Sequence, residues 1–152
     1  MEPGITCRPA TAGDVGALHE LIVAIARHHD QLQHVRTSVA DLMRDGFGQN
    51  SKFAAVLAED RGMAVGYASY TWNYSIWLAA TYMNIDDVYV MTSHRGLGVG
   101  ERLLLELRRV ARDRGAVRLR WEVQSDNAGA IRFYERIGAV MRTKGIFTWD
   151  AL

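Results

Sequence analysis

Cysteine is nearly absent from this 152-residue chain: Cys7 stands alone. No disulfide can form within it, which excludes the stapled scaffold of small secreted domains. Proline is almost as scarce. Pro3 and Pro9 both fall near the start, so no proline-rich linker divides the chain. Neither sign of charge is in excess: 18 Lys and Arg stand against 17 Asp and Glu, for a net charge of +1. That balance gives no electrostatic footing for nucleic acid. No apolar run reaches membrane-spanning length. The opening Met1-Glu2-Pro3-Gly4 lacks the layout of a signal peptide, so the expected location is the cytoplasm, with no membrane partner. Repeats and low-complexity tracts are missing too. A hydrophobic content of 49% with 23% charge suits one folded domain over residues 1–152.

Among the cations lysine is rare. Lys52 and Lys144 are the only two, which leaves 16 of the 18 to arginine. Arg108, Arg109, Arg112 and Arg114 crowd one segment, and Arg118 and Arg120 follow it. With acids balancing them they read as a solvated surface. His28, His29 and His34 lie close together, but their spacing is not that of H-E-x-x-H and no cysteine accompanies them, so no metal is expected.

The most informative stretch runs from Val88-Tyr89-Val90 through Arg95-Gly96-Leu97-Gly98-Val99-Gly100-Glu101 to Leu103, Leu104 and Leu107. It reads as a strand, a glycine-rich turn and an amphipathic helix. Gly96, Gly98 and Gly100 lack the Cβ atoms that hold a ligand away from backbone. The first turn of a helix offers unpaired N–H groups and the positive end of a dipole, a natural seat for a phosphate or pyrophosphate. A P-loop is rejected, because Glu101 and Arg102 stand where Lys and Ser or Thr are required. A dinucleotide fold needs G-x-G-x-x-G, and Glu101 replaces its third glycine, although Glu122 supplies an acid at the end of the next strand. A third pattern, R-x-x-G-x-G, is met by Arg95, Gly98 and Gly100.

A second segment, Asp126-Asn127-Ala128-Gly129-Ala130-Ile131-Arg132-Phe133-Tyr134-Glu135-Arg136-Ile137-Gly138-Ala139, has its own pattern. Asp126 or Asn127 can cap a helix, Ala130, Phe133, Tyr134 and Ile137 form an apolar stripe, and Gly138 suits a left-handed helix end. Alone, Tyr134 reads as a core aromatic.

Together the R-x-x-G-x-G turn and the N-x-x-A-x-x-F-Y-x-x-x-G-A segment resemble the GCN5-related N-acetyltransferases, and the likeness covers most of the chain. The resemblance implies an α/β fold with a mixed central sheet of about seven strands flanked by about four helices. It implies acetyl-CoA as co-substrate, with its pyrophosphate on the backbone of Arg95, Gly96, Leu97, Gly98, Val99, Gly100 and Glu101. It also gives cofactor contacts to the backbone of Val88, Tyr89 and Val90, where the family bulges its central strand. Asn127 is implied to contact the pantetheine arm, and Tyr134 to protonate the departing thiolate. A homodimer is implied, with the last hairpin as its docking edge.

The expected elements follow from periodicity. Ile5 to Arg8 is a strand, and Thr11-Ala12-Gly13-Asp14 caps a helix carrying Val15, Leu18, Leu21, Ile22 and Ile25. Ser38 caps a second helix through Leu42 and Met43. Strands follow at Phe53 to Ala58, Met63 to about Trp72, and Asn84 to Met91. Leu103 to Arg114 is a helix closed by Gly115, Val117 to Val123 a strand, and Asn127 to Ile137 the last helix. Ala139 to Met141 and Ile146 to Trp149 are expected to finish the sheet as a hairpin.

For the acceptor, Tyr70-Thr71-Trp72-Asn73-Tyr74-Ser75-Ile76-Trp77 and Ile85-Asp86-Asp87-Val88 resemble the diamine acetyltransferase branch, with its N-Y-S-x-W and L-E-D segments. Asp86 and Asp87 are implied to hold a cationic amine, with Asp86 taking its proton, while Trp72, Tyr74 and Trp77 add cation–π attraction. The chain departs from that branch at Arg27-His28-His29, where an acid is common, and at Ser125, where Trp is common. Losing an acid weakens the case for a long polyamine, and a short diamine or an amino acid with a side-chain amine fits at least as well. An antibiotic or a protein N-terminal amine is the alternative acceptor. A non-catalytic acyl-CoA-binding regulator is the alternative of another class.

Overall fold

The computed structural model describes residues 4–152, so Met1, Glu2 and Pro3 of the opening lie outside the described residues. The chain forms two compact units, residues 1–121 and 122–152.

The first unit is built from β1 (Ile5–Pro9), α1 (Val15–His28), α2 (Val39–Phe47), β2 (Ala54–Asp60), β3 (Met63–Ser75), β4 (Ala80–Val90), α3 (Val99–Arg114) and β5 (Leu119–Arg120). The strands lie in the order β1-β2-β3-β4-β5. Pairing is antiparallel as far as β4, and β5 joins in parallel, so the sheet is mixed as expected.

Local chemistry accounts for the boundaries. The Asp14 carboxylate accepts from the Thr11 N–H at 2.7 Å before α1. At α2 the box is reciprocal: Asp41 N–H donates to Ser38 Oγ at 3.1 Å, and Ser38 N–H donates to the Asp41 carboxylate at 2.9 Å. The β2–β3 hairpin turns on Arg61 and Gly62, at φ 50° and 85°. Two positive φ values in a two-residue loop match the right-handed twist of its strands. Gly115 closes α3 at φ 81°, and Ala116 N–H then donates to Ala111 O at 2.9 Å.

Alternation along the strands divides the core. Ala55, Leu57, Tyr67 and Tyr89 face one way and pack with Val15, Leu18 and Leu21 of α1 and Leu42 of α2. Gly66, one residue from Tyr67, faces the other way, and a Cβ there would stand 3.5 Å from the Leu103 side chain of α3. The sheet therefore has an α1/α2 face and an α3 face. Val99, Leu103, Leu104, Leu107 and Ala111 of α3 are buried, and full burial of one leucine contributes roughly 1.5–3 kcal/mol.

In the second unit, α4 spans Ala128–Arg136. Asn127 caps it, its side-chain oxygen accepting from Ala130 N–H at 3.2 Å. The helix ends at Gly138 with φ 102°, where Gly138 N–H donates to Glu135 O and Ala139 N–H to Tyr134 O, both at 3.0 Å.

Four helices match the expectation, but the described residues hold five strands rather than about seven. The Val117 to Val123 strand shrinks to Leu119–Arg120, and the hairpin expected at Ala139 to Met141 and Ile146 to Trp149 does not form. Period-two patterning states which side chains share a face but supplies no partner for the backbone N–H and C=O groups. Pairing of β5 with β4 stops at Asn84↔Arg120, two residues before the bulged Asp86.

Candidate active site

The glycine turn forms as the sequence predicts. After β4 a short 3-10 turn, Thr92–His94, leads to Arg95, and the chain enters α3 through Gly96 at φ 77° and Gly98 at φ 79°. These left-handed values cost a side-chain-bearing residue roughly 1 kcal/mol, whereas glycine adopts them freely. A Cβ at either glycine would meet nothing within 4 Å. The glycines are thus required by conformation, and the backbone they expose is open. The first helical hydrogen bond runs from Arg102 N–H to Gly98 O at 3.1 Å. The amides of Val99, Gly100 and Glu101 precede it and have no partner inside the helix. Val99 is buried and anchors this first turn, while Glu101 is exposed.

Side chains fasten the turn. His94 Nε2 lies 2.9 Å from Asp60 Oδ2 at the end of β2, and Ser93 Oγ lies 2.8 Å from His94 Nδ1. Arg95 Nε donates to Val90 O at 3.0 Å, and its guanidinium stands 5.7 Å from the Tyr89 ring centre. Arg95 therefore braces the end of β4.

The peptide groups of β4 are aimed alternately. Met91 N–H donates to Val65 O across the β3 ladder at 2.8 Å. Counting back by twos, Tyr89 and Asp87 also turn their peptide groups toward β3, opposite Tyr67 and Ser69. Val88 and Val90 turn theirs the other way, where pairing with β5 ends at Asn84↔Arg120. The ladder leaves those two peptide groups outside the sheet, and the Val90 carbonyl is the one that Arg95 takes.

The acid pair owes its geometry to a β-bulge. Ser69 pairs with Asp87 and Tyr70 with Ile85, so Asp86 is an extra residue without a partner. Adjacent strand residues ordinarily face opposite ways. Here the bulge puts both carboxylates on the α1/α2 face: the Tyr67 hydroxyl donates to Asp87 Oδ2 at 3.1 Å, and the Asn84 amide donates to Asp86 Oδ1 at 3.0 Å. Partial burial raises the Asp86 carboxyl above its ordinary range, the negative charge of Asp87 raises it further, and the Asn84 hydrogen bond opposes both. Asp86 is therefore a stronger base than a free carboxylate.

The aromatic residues expected beside the pair are not gathered there. Trp72 lies on the α3 face, with the Arg114 guanidinium 5.0 Å from its ring centre and Tyr70 edge-on at 5.4 Å. Tyr74 shares that parity and is exposed, and Trp77 stands in the β3–β4 turn at 98% exposure. The sheet itself separates Trp72 and Tyr74 from the carboxylates. What sequence reasoning missed instead are Tyr67, Asn84 and Arg120. Arg120 Nη1 donates to Asn84 Oδ1 at 3.3 Å, which extends the polar stripe to β5. Asn84 and Asp86 two residues apart on one strand were a readable signal, but Tyr67 and Arg120 join only through pairing.

In the second unit, Asn127 spends its side-chain oxygen on the α4 cap. Tyr134 follows Phe133 on α4, their ring centres 5.3 Å apart, and burial pushes its hydroxyl above the ordinary phenol value. The hydroxyl consequently stays protonated at neutral pH.

Residues 15–139 match the family model described as acetyltransferase (GNAT) family. The chain belongs to the GNAT acetyltransferase family. Thialysine N-epsilon-acetyltransferase of Sus scrofa is 30% identical over 143 residues, covering 89% of this chain and 84% of that protein. Spermidine/spermine N(1)-acetyltransferase-like protein 1 of Homo sapiens is 31% identical over 140 residues, covering 88% of this chain but 20% of that larger protein. The fold is also that of an aminoglycoside acetyltransferase from an uncultured soil metagenomic sample, with a TM-score of 0.85, 14% identity, and coverage of 99% and 98% of the two chains. This GNAT acetyltransferase thus sits within the diamine branch that its sequence resembles, and the family's co-substrate, acetyl-CoA, fits the chemistry of the open amides after β4.

Proposed function

We propose that this acetyltransferase moves the acetyl group of acetyl-CoA onto a primary amine of a small molecule, a diamine, polyamine or diamino acid, by direct attack within a ternary complex. The observation that carries the reading is the bulge at Asp86, which sets two carboxylates on one sheet face of the strand that leads into the glycine turn. Relatives named for thialysine and for spermidine or spermine support a flexible, amine-bearing acceptor.

Each residue then has a task. The amides of Gly96 through Glu101 hold the diphosphate, and Arg95 adds charge. Val88 and Val90 present peptide groups to the pantetheine arm and the thioester. Asp86 and Asp87 hold the acceptor as an ammonium ion. That ion has a free pKa of ~10.4 and must lose a proton before it can attack. Asp86, with its carboxyl raised, takes it. The thioester supplies the acetyl group, and Tyr134 returns a proton to the departing thiolate. No covalent enzyme intermediate is needed, and Cys7, on β1, has no part in the scheme. A cytoplasmic homodimer belongs to the same reading, with light scattering as its check.

A panel of small diamines, polyamines and diamino acids, followed by release of free CoA thiol, tests the proposal. Turnover with at least one of them is expected. Binding of CoA with no turnover on any of them contradicts it and leaves the regulator.

A further inference from the structure

We infer that His94 and Arg102 are positioning residues for the acetyl-CoA seat: they flank the glycine turn and fasten both of its ends to one rung of the sheet, the Ile5–Asp60 pair of β1 and β2. The inference rests on the diphosphate seat assigned above and adds what holds that seat in shape.

The turn has little of its own to hold it. Gly96 and Gly98 stand at φ 77° and 79°, and among the described residues no backbone N–H of Gly96, Leu97 or Gly98 donates to another backbone group. Glycine has more backbone freedom to lose on ordering than any other residue. Amides that bind an anion well already point at it, because whatever must be ordered on binding subtracts from affinity. The fixation therefore comes from the flanks.

Both flanks reach the same place. Before the turn, His94 Nε2 lies 2.9 Å from Asp60 Oδ2, and Ser93 Oγ lies 2.8 Å from His94 Nδ1. A carboxylate only accepts, so the Nε2 facing it carries the hydrogen, while the hydroxyl serves Nδ1 as donor or acceptor. The ring is thus held at both nitrogens. After the turn, Arg102 Nη1 donates to Ile5 O at 3.0 Å. Ile5 and Asp60 are cross-strand partners. Their rung is firm: Asp60 also pairs with Met63 of β3, Arg61 N–H donates to Gly4 O at 3.1 Å, and the Ile5 side chain is buried. Residues 95–101 therefore form a loop with both feet on one support. The His94–Asp60 contact is also sheltered, its side chains 20% and 25% exposed, so it is less open to competition from water than a surface pair.

Calorimetry with CoA on the full-length protein tests the inference, with Tm recorded alongside. His94→Asn reaches only as far as Nδ1 and loses Asp60, whereas His94→Gln reaches about as far as Nε2 and keeps it. His94→Asn should raise the CoA Kd about tenfold, the result when only about a tenth of the molecules hold the turn in its binding shape. His94→Gln should recover most of that loss. Arg102→Met keeps an apolar stem and removes the donor, and it should weaken CoA to a similar extent. The KM for acetyl-CoA should rise in parallel, with kcat at saturation and the acceptor KM unchanged. The double variant His94→Asn/Arg102→Met should be little worse than either single one, because a turn released at one end is already loose. An unchanged CoA Kd in both folded single variants, with only Tm lowered, overturns the inference and leaves the seat intact. Losses that multiply in the double variant overturn the shared anchor. Should one single variant fail to fold, the Kd of the other decides. Wild-type protein that binds no CoA overturns the seat and the inference together.

Discussion

The hydroxyl of Tyr67 donates to Oδ2 of Asp87 across the β3–β4 ladder at 3.1 Å, from a side chain that is itself fully buried. The bond ties the hydrophobic core beneath α1 and α2 to the acid pair at the surface. It also keeps the phenol protonated, because burial and the neighbouring carboxylate both raise Tyr67 well above the ordinary phenol range. In Tyr67→Phe the carboxylate loses that donor but keeps the packing. A stability loss of about 1–2 kcal/mol is expected in denaturant melts, with a higher KM for the acceptor and an unchanged KM for acetyl-CoA. A rise in the acetyl-CoA KM alone would count against the link to Asp87.

Asp86 and Asp87 make opposite predictions for function and for stability. The raised Asp86 carboxyl means that the folded state disfavours its charged form, so protonation favours folding as pH falls from above through the raised value toward 3.8. Replacing it by the neutral isostere, Asp86→Asn, should therefore leave stability at pH 7 equal or slightly higher while the acceptor KM rises. Asp87→Asn removes one cause of the elevation. The acid limb of kcat/KM, which reports Asp86 ionisation in the free enzyme, should then move to lower pH. Melting curves of Asp86→Asn and pH–rate profiles of Asp87→Asn check the two signs separately.

Gly98→Ala tests the turn by conformation alone. The new methyl has open space around it, so the penalty comes from φ 79° and is about 1 kcal/mol. Any relief of that strain moves the amides of α3's first turn. The measured result should be a raised KM for acetyl-CoA, an acceptor KM near its wild-type value, and a small drop in Tm.

Tyr134→Phe removes the proposed proton donor without removing the ring. The fall in kcat should be about a hundredfold or more, within the range of general acid catalysis, and CoA affinity by calorimetry should stay the same. An undiminished kcat would assign thiolate protonation to water.

The parts of the site that one segment determines by itself were readable in the sequence. Gly96, Gly98, Gly115 and Gly138 each occupy a left-handed position at a helix end, and Ser38 and Asn127 cap helices where short polar residues precede apolar ones. The parts set by pairing were not. Nothing within Ile85-Asp86-Asp87 announces that Asp86 is the extra residue, because the bulge exists only relative to Ser69 and Tyr70 on β3. The same ignorance of pairing put Trp72 beside the carboxylates, whereas its parity with Tyr70 sends it to the α3 face. It also overcounted strands, since alternation in Ala139 to Met141 and Ile146 to Trp149 supplies a pattern but no neighbour. Arg120 looked like one more solvated arginine until β5 placed it against Asn84.

The most direct measurement is amide NMR during titration with CoA, because the account depends on a diphosphate seated on the backbone after β4. The amides of Gly96, Gly98, Val99, Gly100 and Glu101 should shift together and saturate with a single dissociation constant, and Gly98→Ala should weaken that constant. Saturating CoA that leaves those five resonances in place, or that shifts residues elsewhere instead, would contradict the assignment.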